Sequence, residues 1–133
     1  MTYDEPQVEV SAEDILQIPY TSGTESKPKG AMLSHRALMS QYHSCIFDGQ
    51  YATDDVSLHA LPLFHCAQLH CFLMPYLYIG ATNVIMHKAE PAEMIRLIEK
   101  FQITHMFAPP TVWIGILNLP QFENYNHSSL KKA

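Results

Sequence analysis

The sequence is short of charge, and what charge it has is mainly negative. Charged residues make up 16% of the 133 residues, whereas apolar residues make up 47%. This is the composition of a globular chain, slightly poor in charge, as expected where part of its surface normally lies against missing neighbours. The formal net charge is -5, with only eight Lys and Arg residues. An acidic balance of this kind argues against nucleic acid as a partner.

The sequence also lacks the features of a secreted or membrane-spanning protein. Its three cysteines, Cys45, Cys66 and Cys71, are an odd number without the spacing of a disulfide framework, and no signal peptide precedes them. The most apolar run, residues 58–79, contains three histidines, a glutamine and two prolines, which a bilayer would penalise. We therefore expect a reduced, cytoplasmic setting and no transmembrane segment.

What the chain does contain is a loop suited to phosphate. Residues 20–30 read Tyr-Thr-Ser-Gly-Thr-Glu-Ser-Lys-Pro-Lys-Gly, with two glycines, several hydroxyls and two lysines. Apolar residues on each side predict two short strands, so the loop would lie in a hairpin. A Walker loop is excluded because Lys29 precedes Gly30 instead of following it. On composition alone, an ordinary solvated turn fits as well.

The remaining pattern alternates strands with helices, which predicts an α/β fold with a largely parallel sheet and flanking helices. Ser34 is a good N-cap for the first helix, and the helix that Pro91 opens directs Met94, Leu97, Ile98 and Phe101 inward. The predicted helices span 35–47, 67–78 with a bend near Pro75 and a stop at Gly80, 91–101 and 111–119, and the predicted strands span 56–63, 82–86 and 103–108.

A second candidate site follows the strand predicted at 56–63. Residues 61–66 read Leu-Pro-Leu-Phe-His-Cys and lie at the carboxyl end of that strand, where open α/β sheets bind ligands. A single histidine among apolar residues is more often structural than functional. A zinc site is a further alternative, although the adjacent pairs His65-Cys66 and His70-Cys71 would strain to converge on one ion.

The order of these two segments resembles that of the adenylate-forming (AMP-binding) superfamily, in its acyl-CoA synthetase and fatty-acid-CoA ligase branch. The family loop runs Tyr-Thr-Ser-Gly-Thr-Thr-Gly-x-Pro-Lys-Gly, and nine of the eleven positions fit residues 20–30. The departures are Glu25 and Ser26, and the resulting Thr-Glu-Ser form is similar to one branch of fatty-acyl-CoA ligases. A Pro-x-Phe-His segment follows in the family, as Pro62 to His65 does here.

The resemblance implies that residues 1–133 are part of an N-terminal AMP-binding domain, with the phosphate loop at 20–30 and the carboxylate and acyl-site segment at 61–66. The family's adenine and ribose segments and its carboxyl-terminal domain, with a catalytic lysine, are not found. The isolated chain is therefore expected to be inactive and to self-associate through apolar surface.

The implied reaction joins a carboxylic acid to ATP, releases pyrophosphate with Mg²⁺, and transfers the acyl group to CoA. His65 would be the catalytic residue that orients the carboxylate, with Phe64 as its neighbour in the acid pocket. Lys29 matches the constant lysine of the family, whereas Lys27 is at a variable position. We expect Glu25 to point outward, since a carboxylate facing a triphosphate costs free energy. The ATP phosphates would be held by Thr21, Ser22, Gly23, Thr24, Glu25 and Lys29, and Thr21 would also contact Mg²⁺.

The Thr-Glu-Ser loop and the apolar region at 64–78 favour a fatty acid as the substrate. Within that region Leu69, Phe72, Leu73 and Tyr76 would form either core or an acyl tunnel. Two other functions remain open. One is a non-catalytic binding or interaction module that keeps an adenylation-like loop, and the other is an unrelated phosphate-binding α/β protein or small hydrolase.

Overall fold

The computed structural model of the protein describes residues 7–22 and 27–133. The chain divides into two units, Met1–Ser40 and Gln41–Ala133, which are treated separately below. The first unit carries the phosphate loop, and the second carries the sheet and the residues of segment 61–66.

The first unit is built from two nested antiparallel ladders. Strand β1 (Ile15–Gln17) pairs with β4 (Leu33–Ser34), and within them β2 (Tyr20–Thr21) pairs with β3 (Lys29–Gly30). A Cβ atom at Gly30 would lie 2.8 Å from Ile18 Cγ2, so the glycine permits close approach within the hairpin itself. The predicted hairpin around the loop is confirmed.

Helix α1 (His35–Asp48) begins where the sequence predicts. The Ser34 hydroxyl accepts a hydrogen bond from the Ala37 backbone N–H at 3.3 Å. This is the N-cap geometry that satisfies one of the open donors of the first turn.

The second unit contains a three-stranded parallel sheet. Strand β5 (Val56–His59) is central and pairs with β6 (Thr82–Ile85) on one side and β7 (His105–Met106) on the other. The predicted parallel sheet is confirmed. The strands at 82–86 and 103–108 are shorter than predicted, because the ladders extend only over the residues that pair with β5.

One face of the sheet carries the apolar core under two helices, α3 (Pro91–Phe101) and α4 (Pro110–Leu117). The bounds of α3 are those predicted, because Pro91 fixes its start and the apolar positions recur at helical spacing. Phe101 was expected to be inward, but it is 43% exposed and lies under the Lys100 ammonium group. The buried members of the core are Leu58, Ala60, Met94, Ile95, Leu97, Ile98, Ile103, Met106 and Ile116.

A different kind of helix contacts the central strand and its β6 neighbour. Residues Ala67–Leu73 form a π-helix that continues as α2 (Met74–Tyr78). Gly80 ends this segment with φ of 77°, as its predicted role as a stop requires. Pro75 has no N–H to donate to the Cys71 carbonyl, which instead accepts from the Tyr51 hydroxyl at 3.0 Å.

Strand β5 ends four residues earlier than the predicted span 56–63. Pro62 offers no ladder N–H, and its carbonyl accepts from the His65 backbone N–H at 3.1 Å, so the chain turns there. Ser57 and His59, which alternate with the core residues, are also buried. None of the helices in the described ranges is long and apolar enough to cross a membrane.

Candidate functional site

The phosphate loop is closed by a short ladder that places Thr21 opposite Lys29. The Thr21 hydroxyl donates to the Lys29 carbonyl at 3.5 Å, and Thr21, Ser22 and Lys29 are all exposed. The hairpin therefore brings together a hydroxyl and a lysine that were assigned to phosphate. Gly23, Thr24 and Glu25 lie outside the described residues, so their assigned roles, including the outward placement of Glu25, stay predictions.

His65 lies in the turn between β5 and the π-helix. Its Nδ1 accepts a hydrogen bond from the Ala67 backbone N–H at 3.2 Å. A nitrogen that accepts a backbone N–H carries no proton, so the neutral ring has its proton on Nε2. The side chain is exposed and can present Nε2–H to an anionic ligand. Phe64 beside it is 89% exposed.

A small cavity of about 240 Å³ joins segment 61–66 to the π-helix and to the loop after β7. Its lining is apolar apart from two polar side chains, those of His65 and Gln68. The residues that line it are Leu61, Pro62, Phe64, His65, Ala67, Gln68, Phe107 and Pro109. A cleft of about 810 Å³, lined by residues 60–64 and 85–89, opens at the carboxyl ends of β5 and β6. Both lie where parallel sheets place their ligands.

The sequence analysis missed a hydrogen-bonded chain of three polar residues, of which Gln68 lines the cavity. Gln68 bonds through Nε2 to His59 Nδ1 at 2.7 Å, and His59 Nε2 bonds to Asn83 Oδ1 at 2.7 Å. Burial lowers the pKa of His59, against the opposing effect of its Asn83 hydrogen bond, so the ring is neutral at neutral pH. The signal that could have found them is a polar residue inside an apolar run, as Gln68 is.

The four aromatic and aliphatic residues that were predicted as core or tunnel lie beside this network. Tyr76 is fully buried and stacks on Tyr51 with ring centroids 4.2 Å apart, and Phe72 stacks on Phe107 at 4.4 Å. Leu73 is also buried. None of Leu69, Phe72, Leu73 and Tyr76 lines the small cavity, and Leu73 and Tyr76 are buried whereas Leu69 and Phe72 are half-buried.

The zinc alternative finds no support in the geometry of the described ranges. Within them, no group of three or more His, Cys, Asp or Glu side chains is placed to hold a metal ion. His70, one of the candidates, instead contacts the Tyr42 hydroxyl through Nδ1 at 2.9 Å, and burial lowers its pKa.

Most of the chain is similar to curated CoA ligases. The 4-coumarate:CoA ligase 1 of Petunia hybrida is 36% identical over 135 residues, which cover 97% of this chain and 24% of that relative. The 4-coumarate–CoA ligase of Vanilla planifolia is 36% identical over 132 residues, covering 95% and 24% respectively. The chain thus spans about a quarter of the length of these curated relatives.

Solved structures show the same fold. ATP-bound MatB from Rhodopseudomonas palustris superposes with a TM-score of 0.81 and 28% identity, covering 93% of this chain and 24% of that protein. The family described as AMP-binding enzyme matches residues 2–133, which is nearly the whole chain. The chain therefore belongs to the AMP-binding enzyme family.

Proposed function

We propose that this chain is the phosphate-binding and acid-binding part of an ATP-dependent acid–CoA ligase. The observation that carries the proposal is the hairpin in which Thr21 faces Lys29 across the loop. Membership of the AMP-binding family and the CoA-ligase names of the relatives support it. Because the chain spans 24% of those relatives, activity would require the remaining length, and the isolated chain would be inactive.

The hairpin residues would hold the β- and γ-phosphates of ATP. The hydroxyls of Thr21, Ser22 and Thr24 and the ammonium group of Lys29 would bind the leaving pyrophosphate and disperse its charge. Lysine suits this role as a mobile point charge. Thr21 would also offer Mg²⁺ the hard oxygen ligand that this ion prefers. ATP supplies the adenylyl group, and the ATP-bound structure of MatB supports its use here.

His65 would orient the carboxylate of the acid. The Ala67 N–H occupies Nδ1 and leaves Nε2–H as the donor. A fixed N–H donor beside an apolar cavity holds a carboxylate in place while the acid body lies among Phe64, Phe107 and Pro109. The acyl group would then pass to CoA in the cytoplasm, a location that the three free thiols support.

The acid is proposed to be a fatty acid, on the Thr-Glu-Ser loop and the apolar residues 64–78. An aromatic acid is the second candidate, because the Petunia and Vanilla relatives are 4-coumarate ligases and two phenylalanines line the cavity. The two candidates share the adenylation step and differ only in the body of the acid.

A hybrid enzyme tests the proposal. The segment of the Petunia ligase that this chain matches is replaced by this chain, and acid-dependent exchange of pyrophosphate into ATP is measured with dodecanoate and with 4-coumarate. We expect exchange, lowered roughly tenfold or more by Lys29→Ala and about unchanged by Lys27→Ala, since a charged hydrogen bond is lost only in the first. A folded hybrid that binds ATP but exchanges with no acid would instead favour a non-catalytic module.

A further inference from the structure

The three cysteines of the chain lie close together in the second unit, although they come from different elements. Cys45 belongs to α1, Cys66 directly precedes the π-helix and Cys71 lies within it. All three are free thiols, of which Cys45 and Cys71 are half-buried and Cys66 is exposed. The charges of both Cys45 and Cys66 act on Cys71 and raise its pKa. The fold therefore gathers thiols that are far apart in the sequence.

The contacts of Gln41 identify the two thiols that form a pair. Its Nε2 lies 3.2 Å from Cys45 Sγ and 3.8 Å from Cys71 Sγ, so the two sulfurs share one amide donor. The Cys45 and Cys71 side chains also hydrogen-bond to each other, whereas Cys66 acts on Cys71 through its charge. Cys45 and Cys71 are therefore the pair, and Cys66 is a third thiol beside it.

The elements that carry this pair are held by contacts next to it. Tyr42, which is buried on α1, bonds through its hydroxyl to His70 Nδ1 at 2.9 Å. The Tyr51 hydroxyl donates to the Cys71 carbonyl at 3.0 Å. A disulfide requires two cysteines whose backbones are already held at short range. These contacts hold the backbones of the pair from both elements.

A cluster of thiols can hold a soft metal ion or form a disulfide, and the geometry separates the two. Structural zinc requires four ligands in a tetrahedron. In the part of the chain that the structure describes, no three His, Cys, Asp or Glu side chains are placed to hold a metal ion. Two neighbouring sulfurs are enough for a disulfide. The arrangement therefore fits thiol oxidation better than metal binding.

The environment of the pair assigns an order to the oxidation steps. Burial raises the pKa of the Cys71 thiol, and the charge and hydrogen bond of Cys45 raise it further, so Cys71 stays protonated at neutral pH. The thiolate is the nucleophile, and the first step therefore falls to Cys45. Its sulfur attacks a hydroperoxide, the O–O bond breaks, an alcohol leaves and a sulfenic acid remains. The Cys71 sulfur then attacks that sulfur, and the sulfenic hydroxyl leaves as water with the Cys71 proton.

We propose that Cys45 and Cys71 are an oxidative modification site, at which a hydroperoxide is reduced and a reversible disulfide ties α1 to the π-helix. The site stands independently of the proposed ligase function. Because the π-helix also supplies Ala67 and Gln68 to the wall of the 240 Å³ cavity, the bond would fasten that wall to α1. A small thiol would restore the two cysteines by exchange.

The test treats the whole 133-residue chain with one equivalent of hydrogen peroxide, once folded and once in urea. Remaining thiols are blocked with N-ethylmaleimide, and linked peptides are mapped by mass spectrometry. Cleavage before Asp54 separates Cys45 from the other two cysteines, and fragmentation distinguishes Cys66 from Cys71. We expect a Cys45–Cys71 bond in the folded chain. In the unfolded chain the shorter loop favours a Cys66–Cys71 bond.

Stability provides a second measurement. The oxidised chain should unfold in urea at a midpoint about 1 M higher than the reduced chain, because the bond closes a loop in the unfolded state. Dithiothreitol should remove the difference. Cys66→Ser is the matched control and should keep the bond and the shift, whereas Cys45→Ser and Cys71→Ser should lose both.

The peptide map of the wild type decides the inference even if a serine variant fails to fold. A folded chain that keeps its thiols free, or that links Cys66 instead, would overturn it. The same pairing in the folded and the unfolded chain would also overturn it, because the fold would then not select the pair. A Cys45–Cys71 bond that does not raise the urea midpoint would contradict the tie between α1 and the π-helix.

Discussion

At the scale of single residues, His105 is the histidine of the sheet whose pKa is shifted furthest from its usual value. It is 6% exposed on β7, its Nδ1 lies 3.2 Å from the Ser57 hydroxyl, and the rings of Phe72 and Tyr76 cover it. Burial lowers its pKa to about 4, with the nearby Lys132 charge acting in the same direction and the Asp55 charge opposing. The folded protein therefore holds His105 neutral at neutral pH.

The lowered pKa of His105 makes the folded protein less stable at acidic pH. Between about pH 6.5 and 4, His105 is protonated in the unfolded chain but not in the folded chain. The free energy of unfolding therefore falls as the pH falls through this window. We expect a loss of roughly 2–3 kcal/mol between pH 7 and 4.5 in urea unfolding, with His59 acting in the same direction. His105→Gln, which cannot titrate, should make the free energy of unfolding depend less steeply on pH. An unchanged pH dependence of unfolding in that variant would contradict the account.

Tyr51 provides a second residue-scale prediction. Its hydroxyl caps the Cys71 carbonyl, to which Pro75 has no N–H to donate. Tyr51→Phe should cost about 1–2 kcal/mol, because the ring still stacks on Tyr76 while the hydrogen bond to a part-buried acceptor is lost. Tyr78→Phe is the matched control, since its hydroxyl meets His43 in an exposed contact. Equal unfolding free energies for the two variants would refute the capping role.

At the scale of elements, one ion pair ties the carboxyl-terminal segment to the sheet. Lys132 Nζ lies 2.7 Å from Asp55 Oδ2, which precedes β5, and Asp55 also accepts from the Thr104 hydroxyl at 2.8 Å. Burial by itself raises the pKa of Asp55. The opposite effect is larger: the carboxylate accepts hydrogen bonds from Lys132, the Ala52 N–H and Thr104, and the Lys132 charge also favours its ionised form. The pKa of Asp55 is therefore below its usual value.

Removing Lys132 should therefore leave a buried carboxylate without its cation. We expect Lys132→Met to cost about 2 kcal/mol, less than a fully buried pair, because the Lys132 side chain is 28% exposed. Lys131→Met, at the exposed neighbour, is the matched control and should stay within about 0.5 kcal/mol of the wild type. If Asp55→Asn did not relieve the cost of Lys132→Met, the pairing would not be its cause.

Elements with strong local signals could be predicted from the sequence. Pro91 fixes the start of helix α3 and an apolar stripe runs along it, so its bounds were predicted correctly. The hairpin is flanked by apolar residues, so its existence was also predicted correctly. His65 was identified because a resemblance gave meaning to its place after Pro62. A small cavity lies beside it, and its role in the reaction stays a prediction.

Other features depend on contacts that the sequence does not display. The end of β5 is set by pairing with β6 and β7, and the π-helix at Ala67–Leu73 has no local pattern that separates it from an α-helix. Alternating polar residues in β5 usually indicate a solvated face, yet Ser57 and His59 are buried. Tertiary packing decides these cases. The chain of hydrogen bonds from Asn83 through His59 to Gln68 forms only once β5 and β6 are paired.

At the scale of the whole molecule, large apolar side chains remain exposed in both units. Phe64 is 89% exposed, Phe47 84% and Met32 72%. The chain spans only about a quarter of its relatives' length, so we expect it to self-associate through such residues. Sedimentation should show mass rising with concentration, and Phe47→Ser should reduce the rise. A monodisperse monomer at high concentration would contradict this.

The central claim, that the hairpin is a phosphate site, is tested most directly by calorimetric titration of the chain with Mg-ATP and Mg-pyrophosphate. The wild type, Lys29→Ala and Lys27→Ala are compared, each checked for folding by circular dichroism. The account predicts weak binding of both ligands by the wild type, lost or weakened about tenfold by Lys29→Ala and nearly unchanged by Lys27→Ala. Binding that Lys29→Ala leaves untouched, or no binding by a folded wild type, would contradict it.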